Sequence, residues 1–234
     1  MTRPREVFRE PQPARVPGLG GYSGHVQFDV SGPVGRLLGE MEEPEGIPKG
    51  LAIVCHPHPL HGGSMDNTVV VRVARALRSA GLVTLRFNFR GAGGSEGVHD
   101  GAQEVEDASA AAVALQARHP GLPLWAAGYS FGSRIVSELA LRDAGVERLV
   151  LIAFPAALYD PSSLARVSQP GLVVMGEADS FGTASDLRRN LQRLPPQLEL
   201  VEIRGADHFF RGRTPLVEEA VLRYARAALE SRWE

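Results

Sequence analysis

The stretch Gly128–Gly132 (GYSFG) constrains the fold more than any other part of the chain. Residues 122–127 before it are an apolar run of strand length. Residues 133–143 after it carry apolar side chains at helical spacing, with Gly145 as the predicted stop. A strand that passes through G-x-S-x-G directly into a helix is typical of a nucleophile elbow. Such a turn exposes Ser130 at the end of the sheet and offers backbone N–H groups to an oxyanion.

Apolar runs of strand length alternate with amphipathic helical patterns along most of the chain. Strands are predicted at 51–55, 82–89, 122–127, 147–154, 171–175 and 198–203, and helices at 67–80, 103–118, 133–143, 184–194 and 215–233, with Thr214 as the last N-cap. This alternation predicts an α/β fold, in which helices cover both faces of a mostly parallel, twisted sheet. Ligands of such sheets bind at the carboxyl ends of the strands.

The N-terminal part of the chain has a different pattern. Residues 24–30 and 35–41 can pair across a turn-rich link, which predicts an opening β-hairpin. Residues 1–21 are rich in Pro, Arg and Gly and predict a mobile tail, with a basic anchoring arm as the alternative. We therefore expect a single domain over residues 22–234.

The composition fits one globular domain. A chain of 234 residues with 44% apolar and 22% charged residues can bury a substantial core. The net charge of −2 gives no electrostatic reason to expect a nucleic-acid partner. Cys55 is the single cysteine, which excludes an intrachain disulfide, and the longest apolar stretch, 149–158, is too short to span a bilayer. With no recognisable secretory signal, we expect a cytoplasmic protein without a membrane partner.

Three residues with catalytic side chains follow predicted strands: Ser130, Asp179 and His208. In a triad of this kind the histidine takes the serine proton, and the acid fixes its tautomer and stabilises its protonated form. Glu177 and Asp207 are competing acids. Asp207 is adjacent to the histidine in sequence and is poorly placed to reach its ring, whereas Glu177 stays open. A turn-forming aspartate and a surface histidine are the alternatives without catalysis.

These residues carry a resemblance to a known family. The turns GYSFG, Gly176–Asp179 (GEAD) and Gly205–His208 (GADH) look like the catalytic turns of the α/β-hydrolase superfamily. The stretches 56–67 (HPHPLHGGSMDN) and 86–97 (RFNFRGAGGSEG) resemble a group of small bacterial serine hydrolases without a lid. The resemblance covers about residues 24–232 and implies an α/β-hydrolase fold. Since only residues 155–170 separate two predicted strands where larger relatives insert a cap, we expect an open site without a cap domain.

The resemblance also implies two backbone donors for an oxyanion hole. One is the N–H of Phe131, which follows the nucleophile, and the other is the N–H of His58, in the loop after the first parallel strand. Pro57 stands where glycine is common in that loop, so Leu60 and His61 stay open as alternative second donors.

Some features allow other interpretations. The histidine-rich loop after residue 55 could bind a metal, but it lacks an H-E-x-x-H motif or a cysteine pair, so we expect no metal. Gly91–Gly97 lacks the Lys-Ser/Thr end of a phosphate-binding loop, and we expect a tightly turning loop beside the active site. Cys55 is more simply a buried strand residue than a nucleophile. The side chains that either line an acyl pocket or belong to the core are Phe154, Phe181, Phe209 and Phe210.

The sequence therefore predicts a serine hydrolase that cleaves accessible, short-chain carboxylic esters through an acyl-Ser130 intermediate, without a cofactor. Thioesters and amides are cleaved by the same triad and stay open as alternatives. A non-catalytic binding module on a hydrolase fold is the alternative from another class. The pattern does not identify the substrate-binding residues or the oligomeric state.

Overall fold

The computed structural model describes residues 25–142, 145–191 and 194–230. The strands are β1 (His25–Gln27), β2 (Val30–Gly32), β3 (Gly35–Leu37), β4 (Gly39–Glu42), β5 (Gly50–Cys55), β6 (Leu82–Phe87), β7 (Leu124–Tyr129), β8 (Val146–Ile152), β9 (Gly171–Gly176) and β10 (Leu198–Ile203). The helices are α1 (Thr68–Ala80), α2 (Glu104–Arg118), α3 (Phe131–Leu141), α4 (Ser162–Arg166), α5 (Ala184–Leu191) and α6 (Thr214–Glu230). The predicted tail 1–21 and Trp233 lie outside the described residues.

The main sheet has eight strands in the order β1-β4-β6-β5-β7-β8-β9-β10. The strands from β6 to β10 pair in parallel, and β4 and β1 extend the sheet antiparallel at one edge. The chain runs from β5 to β6 on one side and then crosses to β7 on the other side of β5. The strand order thus reverses at β5, and ligands of open α/β sheets bind at such a point.

Helices cover both faces of the sheet, as the alternating pattern predicts. Buried side chains of α1 and α6 pack with one face, whereas those of α2, α3 and α5 pack with the other. Strands β5, β6, β7 and β9 are buried along their whole length, which explains the unbroken apolar runs of β5, β7 and β9. In β6 the buried residues include Thr84 and Arg86. No helix within the described ranges is long and apolar enough to cross a membrane.

The predicted elements are present, with differences at their ends. The opening hairpin is confirmed but split: β2 and β3 form a separate ladder, while β1 pairs with β4 in the main sheet. Strand β6 ends at Phe87 rather than at residue 89, because the N–H of Phe89 donates to the ring of His56 instead of a neighbouring strand. Helix α3 begins at Phe131, directly after the elbow serine. Of the predicted helix over 184–194, the structure describes Ala184–Leu191 as α5, and residues 192 and 193 lie outside the described residues.

The structure has no cap domain between β8 and β9. Residues 153–170, all of which are described, contain only the five-residue helix α4. The carboxyl ends of the parallel strands are therefore not covered by an inserted helical layer.

A buried ion pair attaches the glycine-rich loop after β6 to helix α2. The side chains of Arg90 and Asp107 are 2% and 0% exposed, and Arg90 Nη2 donates to Asp107 Oδ1 over 2.8 Å. The backbone N–H of Arg90 donates to the same carboxylate over 2.9 Å. Hydrogen bonds to Asp107 raise the pKa of Arg90 above its usual value, so the guanidinium stays charged.

We expect Asp107→Asn to destabilise the fold strongly, because it leaves the charge of Arg90 buried without an anion. Removing one partner of a buried pair typically costs about 3–5 kcal/mol. The free energy of unfolding, measured with urea, should fall by that amount. Glu202→Gln is the control, since Glu202 pairs with Arg188 at 3.3 Å on the exposed surface, and its loss should cost less than about 1 kcal/mol. Equal losses in the two variants would contradict the structural role assigned to the buried pair.

Candidate active site

Ser130 forms the turn between β7 and α3 in a strained backbone conformation. Its φ of 52° and ψ of −116° are rare for a residue with a side chain and cost on the order of 1–3 kcal/mol. The conformation is held because the N–H of Ser130 donates to the carbonyl of Ile152 over 2.8 Å, and the N–H of Ser133 donates to the carbonyl of Ser130 over 2.9 Å.

The glycines on either side of Ser130 lie where a side chain cannot fit. A Cβ on Gly128 would be 2.2 Å from the carbonyl oxygen of Gly132, and a Cβ on Gly132 would be 2.3 Å from that of Cys55. Both carbonyl oxygens belong to the backbone and cannot turn away. The close approach brings the start of α3 against the end of β5, which is why this turn needs both glycines.

The structure brings Ser130, His208 and Asp179 into contact. His208 Nε2 is 2.9 Å from Ser130 Oγ, and His208 Nδ1 is 2.8 Å from Asp179 Oδ2. Asp179 and His208 are 3% and 5% exposed. The N–H of Phe181 donates to Asp179 Oδ1 over 2.8 Å, and the hydroxyl of Tyr129 donates to the carbonyl of His208 over 3.0 Å. The carboxylate and the imidazole are thus fixed by groups other than each other.

The two competing acids have other partners. Asp207 accepts hydrogen bonds from the backbone N–H and the guanidinium of Arg211, at 3.1 and 2.9 Å. Glu177 accepts the N–H of Gly205 over 2.7 Å and connects the loops after β9 and β10. Of the three candidates, Asp179 is therefore the acid whose carboxylate meets the imidazole of His208.

The predicted oxyanion donors come from two adjacent strand ends. The N–H of Phe131 is at the start of α3, where helix N–H groups have no partner within the helix. The alternative donors after β5 already form hydrogen bonds within the loop. The N–H of Leu60 donates to Nδ1 of His58 over 3.3 Å, and the N–H of His61 donates to the carbonyl of His58 over 3.0 Å. Among the described residues, the N–H of His58 has no acceptor. The loop thus leaves the N–H of His58 available and not that of Leu60 or His61.

His56 fixes the histidine-rich loop to the end of β6. Its ring is fully buried, Nε2 accepts the N–H of Phe89 over 3.0 Å, and Nδ1 lies 2.6 Å from the carbonyl of Pro57. A backbone N–H can only donate, so Nε2 is unprotonated and Nδ1 carries the hydrogen. Burial, with smaller contributions from His99 and His58, lowers the pKa of His56 to about 4, against the hydrogen bond to Pro57, which raises it.

The other predicted features have clear places in the structure. Four glycines in Gly91–Gly97 take positive φ values, which fits a tightly turning loop. Cys55 is buried in β5, and burial raises the pKa of its thiol well above the usual value. No group of three His, Cys, Asp or Glu side chains able to hold a metal occurs within the described ranges.

Aromatic rings surround the triad. The rings of Phe181 and Phe209 are partly exposed and lie 4.5 and 5.5 Å from that of His208, measured between centroids. Phe154 and Phe210 are fully buried and belong to the two cores. Of the four phenylalanines near strand ends, Phe181 and Phe209 therefore lie beside the triad, whereas Phe154 and Phe210 belong to the core.

Sequence reasoning missed the pair formed by His99 and Glu104 beside the oxyanion loop. Their side chains are 6% and 0% exposed, and His99 Nδ1 is 2.6 Å from Glu104 Oε1. The sequence gives little signal for this pair: a glutamate in the first turn of a helix is ordinary, and His99 follows a glycine-rich loop with no motif of its own.

We expect the protonation of His56 to destabilise the protein at acid pH. Because its pKa is lower in the folded chain, the unfolded chain binds more protons between pH 6.5 and 4, so stability is full above about pH 6.5 and falls as the pH drops. The shift corresponds to about 3 kcal/mol. His56→Gln keeps a donor and an acceptor but does not titrate. Urea unfolding between pH 7 and pH 4 should therefore show a shallower loss for this variant, and identical pH profiles would contradict the assignment.

Comparison with known proteins gives the family. A family model described as an alpha/beta hydrolase domain matches residues 53–230. An uncharacterized protein of Rickettsia prowazekii is 36% identical over 208 residues, which cover 85% of this chain and 87% of that protein. The structure of an alpha-beta serine hydrolase homologue from Coxiella burnetii has a TM-score of 0.81 at 36% identity, over 88% of this chain and 99% of that chain. A Xanthomonas campestris structure, described as an a/b serine hydrolase without lid, has a TM-score of 0.81 at 34% identity and covers 90% and 97% of the two chains. This chain belongs to the alpha/beta hydrolase family.

Proposed function

We propose that the protein is a serine hydrolase that cleaves carboxylic esters through an acyl-Ser130 intermediate. The observation that carries the proposal is the continuous contact from Ser130 Oγ to His208 Nε2 and from His208 Nδ1 to Asp179, at 2.9 and 2.8 Å. A nucleophile within hydrogen-bond reach of a base, which a third group orients, is the arrangement that activates a serine.

In the proposed reaction, Ser130 Oγ forms a bond to the ester carbonyl carbon as its proton passes to Nε2 of His208. The carbonyl π electrons move to oxygen, and the N–H groups of Phe131 and His58 stabilise the resulting oxyanion. When the carbonyl re-forms, the bond to the alcohol oxygen breaks, and His208 returns the proton to that oxygen. Water then attacks the acyl-enzyme, with His208 taking its proton and passing it to Ser130 as the acid leaves.

Asp179 stabilises the protonated form of His208 during both steps. Its carboxylate is buried. Oδ1 accepts the N–H of Phe181, and both carboxylate oxygens lie within hydrogen-bond distance of His208 Nδ1. A buried carboxylate that is fixed in this way holds Nδ1–H of the imidazole, and Nε2 is left to face the serine.

The surroundings of the site support a small, apolar acyl group. Three exposed apolar side chains, which we call the apolar rim, are Leu60, Val98 and Leu158, at 72%, 80% and 61% exposure. They follow β5, β6 and β8 in the chain and lie within two residues of His58, His99 and Tyr159. The rings of those three residues lie 5.1, 5.5 and 6.4 Å from that of Phe131. With no cap domain, an accessible short-chain ester is the substrate that fits best.

The proposed partner is accordingly a small-molecule ester, in the cytoplasm. The buried free thiol of Cys55 is compatible with a reducing compartment.

Hydrolysis of p-nitrophenyl butyrate tests the proposal. Ser130→Ala should lower kcat by about 10⁶-fold, and Asp179→Asn by about 10⁴-fold, because it favours the wrong imidazole tautomer. Glu177→Gln is the matched control, since Glu177 bonds to Gly205 and not to His208, and its kcat should stay within about twofold of the wild type. A folded Ser130→Ala variant with wild-type turnover would overturn the proposal. If kcat/KM for acyl thioesters or amides exceeds that for oxygen esters, the ester assignment is wrong although the triad stands.

We expect the apolar rim to set the preference for acyl-chain length. Each buried CH₂ contributes about 0.8 kcal/mol, or about fourfold in kcat/KM. Leu60→Ser and Val98→Ser should therefore lower the ratio of kcat/KM for hexanoate over acetate esters by about three- to tenfold. Ile47→Ser is the control, because Ile47 is 89% exposed and precedes β5 at the opposite end of the strand. Equal ratios in the rim and control variants would contradict this role.

A further inference from the structure

A second carboxylate–imidazole pair lies outside the cluster of Ser130, His208 and Asp179. His99 Nδ1 and Glu104 Oε1 are 2.6 Å apart, in a contact whose angle departs from that of a regular hydrogen bond. Glutamate is almost never fully buried without a partner, and removing a carboxylate from water costs several kcal/mol. A Glu104 side chain with no exposure therefore requires an explanation.

The carboxylate of Glu104 is fixed from its helix side. Glu104 begins α2, where the helix dipole favours a negative charge, and Oε1 accepts the N–H groups of Asp100 and Gly101 over 3.1 and 3.3 Å. Its other oxygen, Oε2, is buried and has no hydrogen-bond partner within the described ranges. The group thus has a fixed position from which it can hold His99.

The ring of His99 contacts both residues that carry the proposed oxyanion donors. It lies 4.6 Å from the ring of His58 and 5.5 Å from that of Phe131, edge to face in both cases. The rings of His58 and Phe131 are themselves 5.1 Å apart. Burial, with smaller contributions from His99 and His61, lowers the pKa of His58 to about 4, so the ring of His58 is neutral at neutral pH.

We propose that His99, held by Glu104, is a positioning residue that sets the distance between the two oxyanion donors. This inference rests on the proposed function. His56 attaches the loop after β5 to the end of β6 by accepting the N–H of Phe89. The ring of His99 connects the same loop to α2, because it contacts both His58 and Glu104. Oxyanion donors act at about 2.7–3.1 Å from the oxygen, so a small displacement of His58 removes much of their effect.

The proposal predicts an effect on turnover rather than on substrate binding. Donors that meet the oxygen only in the transition state contribute to kcat and hardly to KM. A displacement of about 1 Å at a positioning group can cost about 100-fold in rate.

Two double variants isolate the ring of His99. In His99→Ala/Glu104→Gln and in His99→Phe/Glu104→Gln, residue 104 is neutral, so neither variant leaves a buried carboxylate without its imidazole partner. The first removes the ring, whereas the second keeps an aromatic ring against His58 and Phe131. We expect kcat to fall about 10–100-fold in the first and to recover to within about fivefold of the wild type in the second, with KM within about twofold.

A trifluoromethyl ketone inhibitor gives an independent measure of the oxyanion hole. Ser130 Oγ adds to the ketone carbon, its proton passes to His208, and the resulting oxyanion occupies the position of the tetrahedral intermediate. Affinity for this inhibitor should fall by the same factor as kcat. The control is His119→Ala, because His119 pairs with Glu43 at 3.3 Å at the far end of α2, and it should change neither quantity.

Equal kcat and equal inhibitor affinity in the two double variants would overturn the positioning role, as would a loss confined to KM. If His99→Ala/Glu104→Gln does not fold, His99→Leu/Glu104→Gln replaces it, because leucine fills the volume without a ring. Its kcat and inhibitor affinity are then compared with those of His99→Phe/Glu104→Gln. Labelling of Ser130 by a fluorophosphonate should persist in every folded variant. Failure of the wild type to label would count against the proposed function and not against the contact of His99 with the loop.

Discussion

The site depends on one close backbone approach, between the start of α3 and the end of β5. Gly132 can take its place only because it lacks a side chain, since a Cβ there would meet the carbonyl of Cys55 at 2.3 Å. This approach sets Phe131 beside the loop that begins at His56 and leaves Ser130 in its strained conformation. The nucleophile and both proposed oxyanion donors thus come from two adjacent strands, and stable packing of the sheet offsets the strain of the turn.

Buried imidazoles with fixed partners hold the loops around this turn. His56 is held neutral between Pro57 and Phe89, and His208 is held between Asp179 and Ser130. Each ring has one nitrogen that donates and one that accepts, so each fixes the relative position of two strand ends. With no inserted helical layer between β8 and β9, these contacts connect the loops at the strand ends.

The sequence predicted the fold well because its signals are local. The unbroken apolar runs of β5 and β9 and the G-x-S-x-G turn each follow from neighbouring residues, and so do helix ends such as Asn67 and Gly81, which cap α1. The order of Ser130, Asp179 and His208 after successive strands predicted a triad, and the structure brings these three side chains into contact. The choice between Asp179 and Glu177 required the structure. Glu177 accepts the N–H of Gly205, and the sequence does not predict this contact.

Contacts between loops that are distant along the chain could not be predicted. The ring of His56 ends β6 two residues early by accepting the N–H of Phe89, and Glu104 meets His99 only after the glycine-rich loop has turned. No sequence motif predicts that His56 contacts Phe89 or that Glu104 contacts His99. The second oxyanion donor was similarly ambiguous, until the hydrogen bonds of Leu60 and His61 showed which N–H groups the loop itself uses.

Mass spectrometry after reaction with a fluorophosphonate tests whether Ser130 is the nucleophile, because the phosphonyl group stays bound to an activated serine. We expect one adduct per folded chain, on the peptide that contains Ser130, and none in His208→Ala under the same conditions. A folded wild-type protein with no adduct, or with its adduct on another residue, would show that Ser130 is not the nucleophile.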